Sequence, residues 1–135
     1  MDKVVVFDTS ILVENLRTGS YGEQIAAVKG VVRMSSVVLA ELWSGASTAV
    51  DLDIMDALQG SLPVLTPTEK DWSESGRLLP QIGAEKRLEP SEVRDLHMDV
   101  LIALTVRGHK AKLITANGKD FKLIRKHLEF ELEVW

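Results

Sequence analysis

Four acidic residues of this chain stand in or beside apolar stretches, where a packed interior has no use for a free charge. Burying a carboxylate is costly unless it is paired, protonated or bound to a metal ion. Because four such residues recur along the 135-residue chain, we expect them to converge on one site. Oxygen ligands without cysteine or a regular histidine pattern favour a hard cation, Mg2+ or Mn2+. The four residues are Asp8, Glu41, Asp99 and Asp120.

Each of the four acids also has a structural interpretation. Asp99 has apolar residues one turn after it, which points it toward the core, but it could also be an acid that interacts with the helix dipole. Glu41 interrupts an apolar helical segment and could form a buried ion pair with an arginine. Asp8 and Asp120 could each cap a helix. The combination is therefore far more specific than any one member.

Short polar side chains accompany the two acids that follow predicted strands. Thr9 and Ser10 come directly after Asp8, and Thr115 and Asn117 precede Asp120. Such groups can orient a carboxylate or hold a water molecule at a metal site. Helix capping and turn formation are the alternatives, and for Ser10 capping is the favoured interpretation.

The elements that must position these residues alternate between strand and helix. Strands are predicted at Val4–Phe7, Val31–Met34, Leu62–Leu65 and Ala111–Thr115, and an alternating edge strand at 130–134. This order predicts a single α/β domain over residues 1–135, with a mostly parallel central sheet flanked by helices. Ligands of such sheets bind at the carboxyl ends of the strands. Helices are predicted at Ile11–Leu16, Ser20–Val28, about 36–46, Asp51–Leu58, about 68–80, about 92–107 and Lys119–His127. The predicted caps are Thr9 or Ser10 for the first helix, Ser35 or Ser36 for the third and Ser91 for the sixth. The fifth begins at Thr68, and Pro80 should kink or stop it.

Composition limits the functional class. Hydrophobic residues make up 45% and charged residues 27% of the chain, as in ordinary globular domains. The absence of cysteine excludes disulfides and thiolate metal sites. No apolar run approaches the roughly 20 residues that span a bilayer, and the N-terminus lacks a signal-peptide layout. We therefore expect a soluble, cytoplasmic protein without a membrane association.

Charge is unevenly distributed, although the net charge is −4. Seven basic residues and one acid, Asp120, lie between Arg107 and Lys126. A basic patch next to an acidic metal site suits an enzyme that cuts a polyanion. The alternative is a solvated, lysine-rich helix and turn.

Hydrolysis of a phosphodiester fits this constellation best. A divalent ion acidifies water and offsets the charge that develops on phosphate. The three histidines, His97, His109 and His127, form no catalytic arrangement with Ser or Asp, and no glycine-rich phosphate loop is present. A phosphotransferase with Asp8 as nucleophile is an alternative, but Ser10 occupies the position where its commonest motif has a second acid.

Four segments in order resemble PIN-domain ribonucleases, most closely the small VapC-type toxins of toxin–antitoxin pairs. They are Phe7–Val13, Val38–Leu42, Asp99–Thr105 and 113–117 with Asp120-Phe121. The resemblance extends from one end of the chain to the other. Each segment is weak alone, and the set at these separations is fairly specific.

The resemblance implies that Asp8, Glu41, Asp99 and Asp120 bind Mg2+ or Mn2+ and support RNA cleavage, and that Thr115 and Asn117 help shape the site. It also implies a homodimer and a cognate antitoxin whose segment inserts into the acidic groove. Two features depart from the commonest family pattern. Asp95 adds an acid one turn before Asp99, either as an extra metal ligand or as an ordinary acid near the helix N-terminus. The segment Leu78–Glu89, with Pro80 inside it, is the second unusual feature.

We therefore predict a metal-dependent endoribonuclease, the toxin of a toxin–antitoxin pair. A PIN-type RNA-processing nuclease without a toxin role is one alternative. A catalytically silent PIN module that binds RNA or a protein is another. Four clustered acids argue against it, because they do not help a surface that only binds RNA.

Overall fold

Five short strands form one sheet in which every neighbouring pair is parallel. They are β1 (Val4–Phe7), β2 (Val31–Ser35), β3 (Val64–Leu65), β4 (Lys112–Thr115) and β5 (Glu131–Val134). A computed structural model, which describes residues 2–135, places them in the order β3-β2-β1-β4-β5. The α/β class and the parallel sheet predicted from the sequence are confirmed, and β5 is an edge strand as predicted.

Seven helices connect and cover the strands within the described part of the chain. None of these helices is long and apolar enough to cross a membrane. The helices are α1 (Thr9–Thr18), α2 (Gly22–Ala26), α3 (Ser36–Gly45), α4 (Ala49–Ser61), α5 (Glu69–Ala84), α6 (Pro90–Gly108) and α7 (Gly118–Arg125).

Helix α6 is the centre of the main core. Its residues from Val100 to Val106 are all buried, together with the inward side chains of β1 and β4. A helix with apolar residues on every side must be packed all round. This burial fixes α6 against the sheet, and with it the position of Asp99, the residue immediately before the buried run.

Several helix boundaries differ from the sequence-based expectation. Helix α1 is capped by Asp8, not by Thr9 or Ser10, because the Asp8 carboxylate accepts a hydrogen bond from the backbone N–H of Ile11. Ser35 caps α3 as predicted. Helix α6 begins at Pro90 instead of after a Ser91 cap, since proline suits the first helical position.

Pro80 does not stop α5, which continues to Ala84. Proline removes one backbone hydrogen bond and normally breaks a helix. Here Pro80 itself is exposed, whereas Ile82 beyond it is fully buried in the core. Packing of the apolar face on both sides of Pro80 outweighs the lost hydrogen bond. Helix α4 likewise extends beyond its predicted end at Leu58, to Ser61.

Candidate active site

Asp8 lies where β1 ends and α1 begins, and its carboxylate is almost completely buried, at 4% exposure. Its Oδ1 accepts hydrogen bonds from Ser10 Oγ at 2.6 Å and from the backbone N–H of Ile11 at 3.3 Å. Its Oδ2 accepts one from Thr115 Oγ1 at 2.5 Å. Three donors therefore fix both oxygens, which is a strong constraint on a helix-capping side chain.

Thr115, at the end of the adjacent strand β4, is fully buried beneath the site. Besides donating to Asp8, its hydroxyl oxygen accepts from the backbone N–H of Asn117 at 2.9 Å. Ser10 Oγ similarly accepts from the backbone N–H of Ala116 at 3.0 Å. The two hydroxyls thus tie the start of α1 to the turn after β4.

Glu41 reaches the same region from the middle of α3. The hydroxyl of Thr9 donates to Glu41 Oε1 at 3.0 Å, which joins two side chains that are 32 positions apart in the chain. The alternative ion pair with an arginine is absent from the described residues, since no salt bridge involves Glu41. Its immediate side-chain partner is a hydroxyl that leaves the carboxylate charge uncompensated.

Asp120 enters from the first turn of α7, where Oδ2 accepts a long hydrogen bond, 3.4 Å, from the Asn117 side-chain amide. Asp120 therefore does not cap α7, which begins two residues earlier at Gly118. Asp95 lies one turn before Asp99 on α6 and is exposed.

One open cavity of about 310 Å³ brings these residues together. All four predicted acids line it, and so do Asp95, Thr9 and Asn117. Thr115 does not line the cavity but supports it from below through Asp8. The sequence therefore predicted the membership of the cavity, although the four acids come from four separate elements or junctions.

The sequence matches the PIN domain family model over residues 5–127, nearly the whole chain. The chain belongs to the PIN domain family.

Solved structures share the fold of this PIN domain. VapBC-1 from nontypeable Haemophilus influenzae has a TM-score of 0.74 at 23% identity, with 98% of each chain covered. A toxin-antitoxin complex from Klebsiella pneumoniae has a TM-score of 0.62 at 23% identity, covering 87% of this chain and 89% of the other. VapC20 of Mycobacterium tuberculosis, a Sarcin-Ricin loop cleaving toxin, has a TM-score of 0.67 at 18% identity, covering 87% and 93%. No curated protein matches the sequence significantly.

Like charges crowd the cavity of the PIN domain. Burial, together with the smaller repulsion from Glu41, Asp120, Asp8 and Asp95, raises the pKa of Asp99 to about 8. Burial also raises the pKa of Glu41, again with repulsion from neighbouring acids. The pKa of Asp8 is raised by burial as well, although hydrogen bonds from Ser10, Thr115 and Ile11 oppose the change.

The donor set of the cavity fits a hard divalent cation. The residues offer carboxylate oxygens and an amide oxygen, and within residues 2–135 none of the four acids has a lysine, arginine or histidine partner. Those described residues contain no preformed cluster of three or more acidic or histidine ligands. Mg2+ commonly uses only one or two carboxylates and keeps several waters, so a cavity of this kind suits it.

Ser10 is the residue of the PIN-domain site that sequence reasoning undervalued. Its hydroxyl lines the cavity, donates to Asp8 and accepts from Ala116, and it does not cap α1. The available signal was its spacing, because a side chain two positions after a helix-capping Asp can return to that Asp from the first helical turn. Thr9, by contrast, was correctly placed beside the acids.

The predicted basic patch is divided by the structure. Arg107, Lys110 and Lys112 lie at the end of α6 and the start of β4, at the edge of the sheet opposite the cavity. Arg107 forms an ion pair with Glu74 at 2.6 Å, and Lys112 forms one with Glu133 at 3.0 Å. The basic segment 107–126 is therefore not one continuous surface beside the acids.

Proposed function

We propose that this PIN domain is a metal-dependent endoribonuclease that hydrolyses RNA phosphodiester bonds. The observation that carries the proposal is the single cavity in which Asp8, Glu41, Asp99 and Asp120 meet without a cationic side chain. Four buried or half-buried carboxylates cost stability unless something compensates them. A divalent cation would compensate them, and it would also activate water and offset the charge that develops on the phosphate during hydrolysis.

Each residue of the site has a definable task in this reaction. When bound, Mg2+ or Mn2+ supplies positive charge opposite the phosphate and makes water more acidic. Asp8, fixed by three donors, and Glu41, oriented by Thr9, are the preorganised carboxylates. Asp99 and Asp120 complete the set from α6 and α7. Preorganisation matters because a carboxylate that must reorient during the reaction loses part of its electrostatic effect.

A catalytically silent binding module is disfavoured by the same geometry. RNA is a polyanion, and its affinity for proteins comes mainly from lysine and arginine contacts with phosphate. A cavity with five acids, counting Asp95, repels phosphate in the absence of a cation. A bound cation would offset the cost of this arrangement in folding free energy, whereas a surface that only binds RNA gains nothing from it.

We further propose that the protein is the toxin of a pair and that its antitoxin inserts a segment beside the site. A groove of about 320 Å³ runs between α1, α3 and α4, with Val13, Leu16 and Ile54 exposing apolar surface along it. Glu41 lines both this groove and the acidic cavity. A partner segment with apolar residues and one cationic side chain near Glu41 would be complementary to both.

The nuclease proposal is tested by incubating the purified protein with total RNA, with Mg2+, with Mn2+ or with EDTA. Discrete products that require a metal are expected from the parental protein and not from Asp8→Asn. The control is Asp56→Asn, which removes an exposed acid of α4 outside the cavity and should leave cleavage unchanged. Equal cleavage by Asp8→Asn would refute the site assignment.

The toxin proposal is tested separately by inducible expression in bacteria. Growth arrest that depends on Asp8 and is relieved by a co-expressed neighbouring small protein is expected. Metal-dependent cleavage without growth arrest would support the RNA-processing alternative instead. Homodimerisation, which the resemblance implies, and a cytoplasmic location, which the composition of the chain favours, stay predictions.

A further inference from the structure

A second groove, of about 340 Å³, adjoins the acidic cavity on the side of α7. Asp95, Asn117 and Asp120 line both spaces, so the two are continuous. The groove continues between the start of α6, the connection from α5 to α6, and α7. A chain that lay across the four acids in this direction would have to pass through it.

Two lysines line this groove, and they come from separate parts of the sequence. Lys119 belongs to the first turn of α7, and Lys86 belongs to the connection between α5 and α6. Both side chains are exposed, and among residues 2–135 neither forms a salt bridge. Of the basic segment 107–126, Lys119 is the member that lines the groove in the described structure.

Apolar side chains also line the groove. Leu88, which is half-buried, is the most exposed of them, because Leu96 and Leu123 are core residues that are only 5% and 6% exposed. A surface that combines lysine ammonium groups with an apolar patch matches a nucleotide, which has a charged phosphate and a largely apolar ribose and base face. A metal ion alone would have no use for the leucines.

The connection between α5 and α6, which carries Lys86, is anchored on both sides of this lysine. The preceding residue, Glu85, contacts His127 Nε2 at 2.8 Å, which ties the connection to the end of α7. On the other side, Leu88 packs into the core and Glu92 accepts a hydrogen bond from the backbone N–H of Glu89 at 3.2 Å. The backbone that carries Lys86 is therefore fixed on both sides, at the groove that Lys119 also lines.

We propose that this groove is a nucleotide-binding subsite for the RNA residue next to the bond that is cut. Lys86 and Lys119 contact its phosphate, and Leu88, backed by Leu96 and Leu123, contacts its ribose or base. The acids that also line the groove, Glu92 among them, confine the phosphate to the space between the two lysines. This inference rests on the proposed ribonuclease function and specifies how its substrate is held.

The test compares two double variants that remove the same charge. Lys86→Ala/Lys119→Ala alters the groove, whereas Lys29→Ala/Lys110→Ala removes two exposed lysines that precede β2 and β4, at the opposite edge of the sheet. The probe is a fluorescein-labelled, 2′-O-methylated single-stranded RNA of 12 nucleotides and mixed sequence, titrated in Mg2+ at several salt concentrations. Thermal unfolding of each variant verifies that the fold is retained.

The groove variant should bind the probe at least about 10-fold more weakly, and its log–log salt slope should decrease in magnitude by up to about 1.4, because two lysines no longer neutralise phosphates of a single strand, at about 0.7 for each phosphate. The control variant should change neither quantity by comparable amounts. On a cleavable RNA that the parental protein cuts, the groove variant should raise KM with little change in kcat.

Three outcomes would contradict the inference in distinguishable ways. If both double variants weaken binding equally, the effect is one of total charge and the groove is not a subsite. If the parental protein cuts RNA and the groove variant binds and cuts like it, the subsite is refuted while the nuclease function stands. If the parental protein neither binds the probe nor cuts total RNA, the proposed function itself fails.

Discussion

The parallel sheet has one edge where the strands begin and another where they end, and charged residues are arranged differently at the two. At the edge where the strands begin, charges are paired: Lys3 with Glu131 at 2.5 Å, Lys112 with Glu133 at 3.0 Å, and Arg107 with Glu74 at 2.6 Å. At the edge where the strands end, four acids share a cavity, and no cation pairs with them within residues 2–135. One edge is arranged as ordinary protein surface, and the other keeps an electrostatic cost that protonation or a bound cation would relieve.

The largest effect should come from removing a charge at the acidic edge. Asp8→Asn and Asp99→Asn should each lower RNA cleavage in Mg2+ by more than about 100-fold, beyond what the loss of a residue beside a metal ligand normally costs. Single-turnover rates on a cleaved RNA measure this effect. If either variant retained more than about a tenth of the parental rate, the difference between the two edges would have no catalytic meaning.

The next effect concerns the hydroxyl that supports Asp8. Thr115→Val keeps the shape of a fully buried residue but removes its hydrogen bond to Asp8 Oδ2. We expect cleavage to fall roughly 10- to 100-fold, as for other residues that orient ligands. A matched control is Thr105→Val on α6, also buried, whose hydroxyl donates only to the carbonyl of Leu101. The prediction fails if the two variants lose activity equally.

A third effect is on stability and depends on pH. Because burial and like charges raise the pKa of Asp99 to about 8, the folded metal-free protein holds a proton there that the unfolded chain releases near pH 4. This contribution to stability is therefore full below about pH 4 and is lost as the pH rises to about 8. Asp99→Asn should consequently stabilise the metal-free protein at pH 8, by on the order of 1–4 kcal/mol.

Thermal unfolding in EDTA from pH 4 to 8 measures this difference. The curves of the parental protein and Asp99→Asn should lie close together at pH 4 and separate as the pH rises, and Mg2+ should stabilise the parental protein more than the variant. A variant that is less stable than its parent at pH 8 would show that Asp99 is compensated within the protein.

The smallest effect should come from the edge with paired charges. The Arg107–Glu74 pair is partly exposed, with side-chain exposures of 38% and 24%, so solvent screens much of its attraction. Arg107→Ala should lower the free energy of unfolding by roughly 0.2–1 kcal/mol and leave cleavage unchanged. Chemical denaturation and the cleavage assay measure both quantities. A marked loss of cleavage would mean that the basic residues at this edge also contact RNA.

The sequence alone singled out the acids of the site, because each is a charged residue in or beside an apolar segment. Asp99 precedes a run of buried apolar residues, and Glu41 interrupts another, so their positions predicted that a charge faces the interior. The location of the residues that follow β1 and β4 was equally predictable, because parallel strands place the residues after their carboxyl ends at one edge of the sheet. These inferences need only local pattern and topology.

Other features could not be derived from local pattern. Pro80 is compatible with a continuous α5 only because Ile82 packs into the core beyond it, and that contact is a tertiary one. Ser10 was predicted to cap a helix, but its hydroxyl donates to Asp8 and accepts from the backbone N–H of Ala116. Ala116 is distant in the chain, so local pattern does not show this contact. The basic segment 107–126 looked continuous because sequence proximity does not show that a strand carries its two ends to opposite edges.

The sequence by itself thus determined the parallel α/β architecture and the set of acids, since apolar periodicity and misplaced charge are properties of the chain. The tertiary structure alone decided which residues of distant segments come together. It placed Thr115 under Asp8, Lys86 and Lys119 along one groove, and Arg107 beside Glu74. Such pairings join residues that lie between 33 and 107 positions apart, and only packing of helices against the sheet brings them within reach.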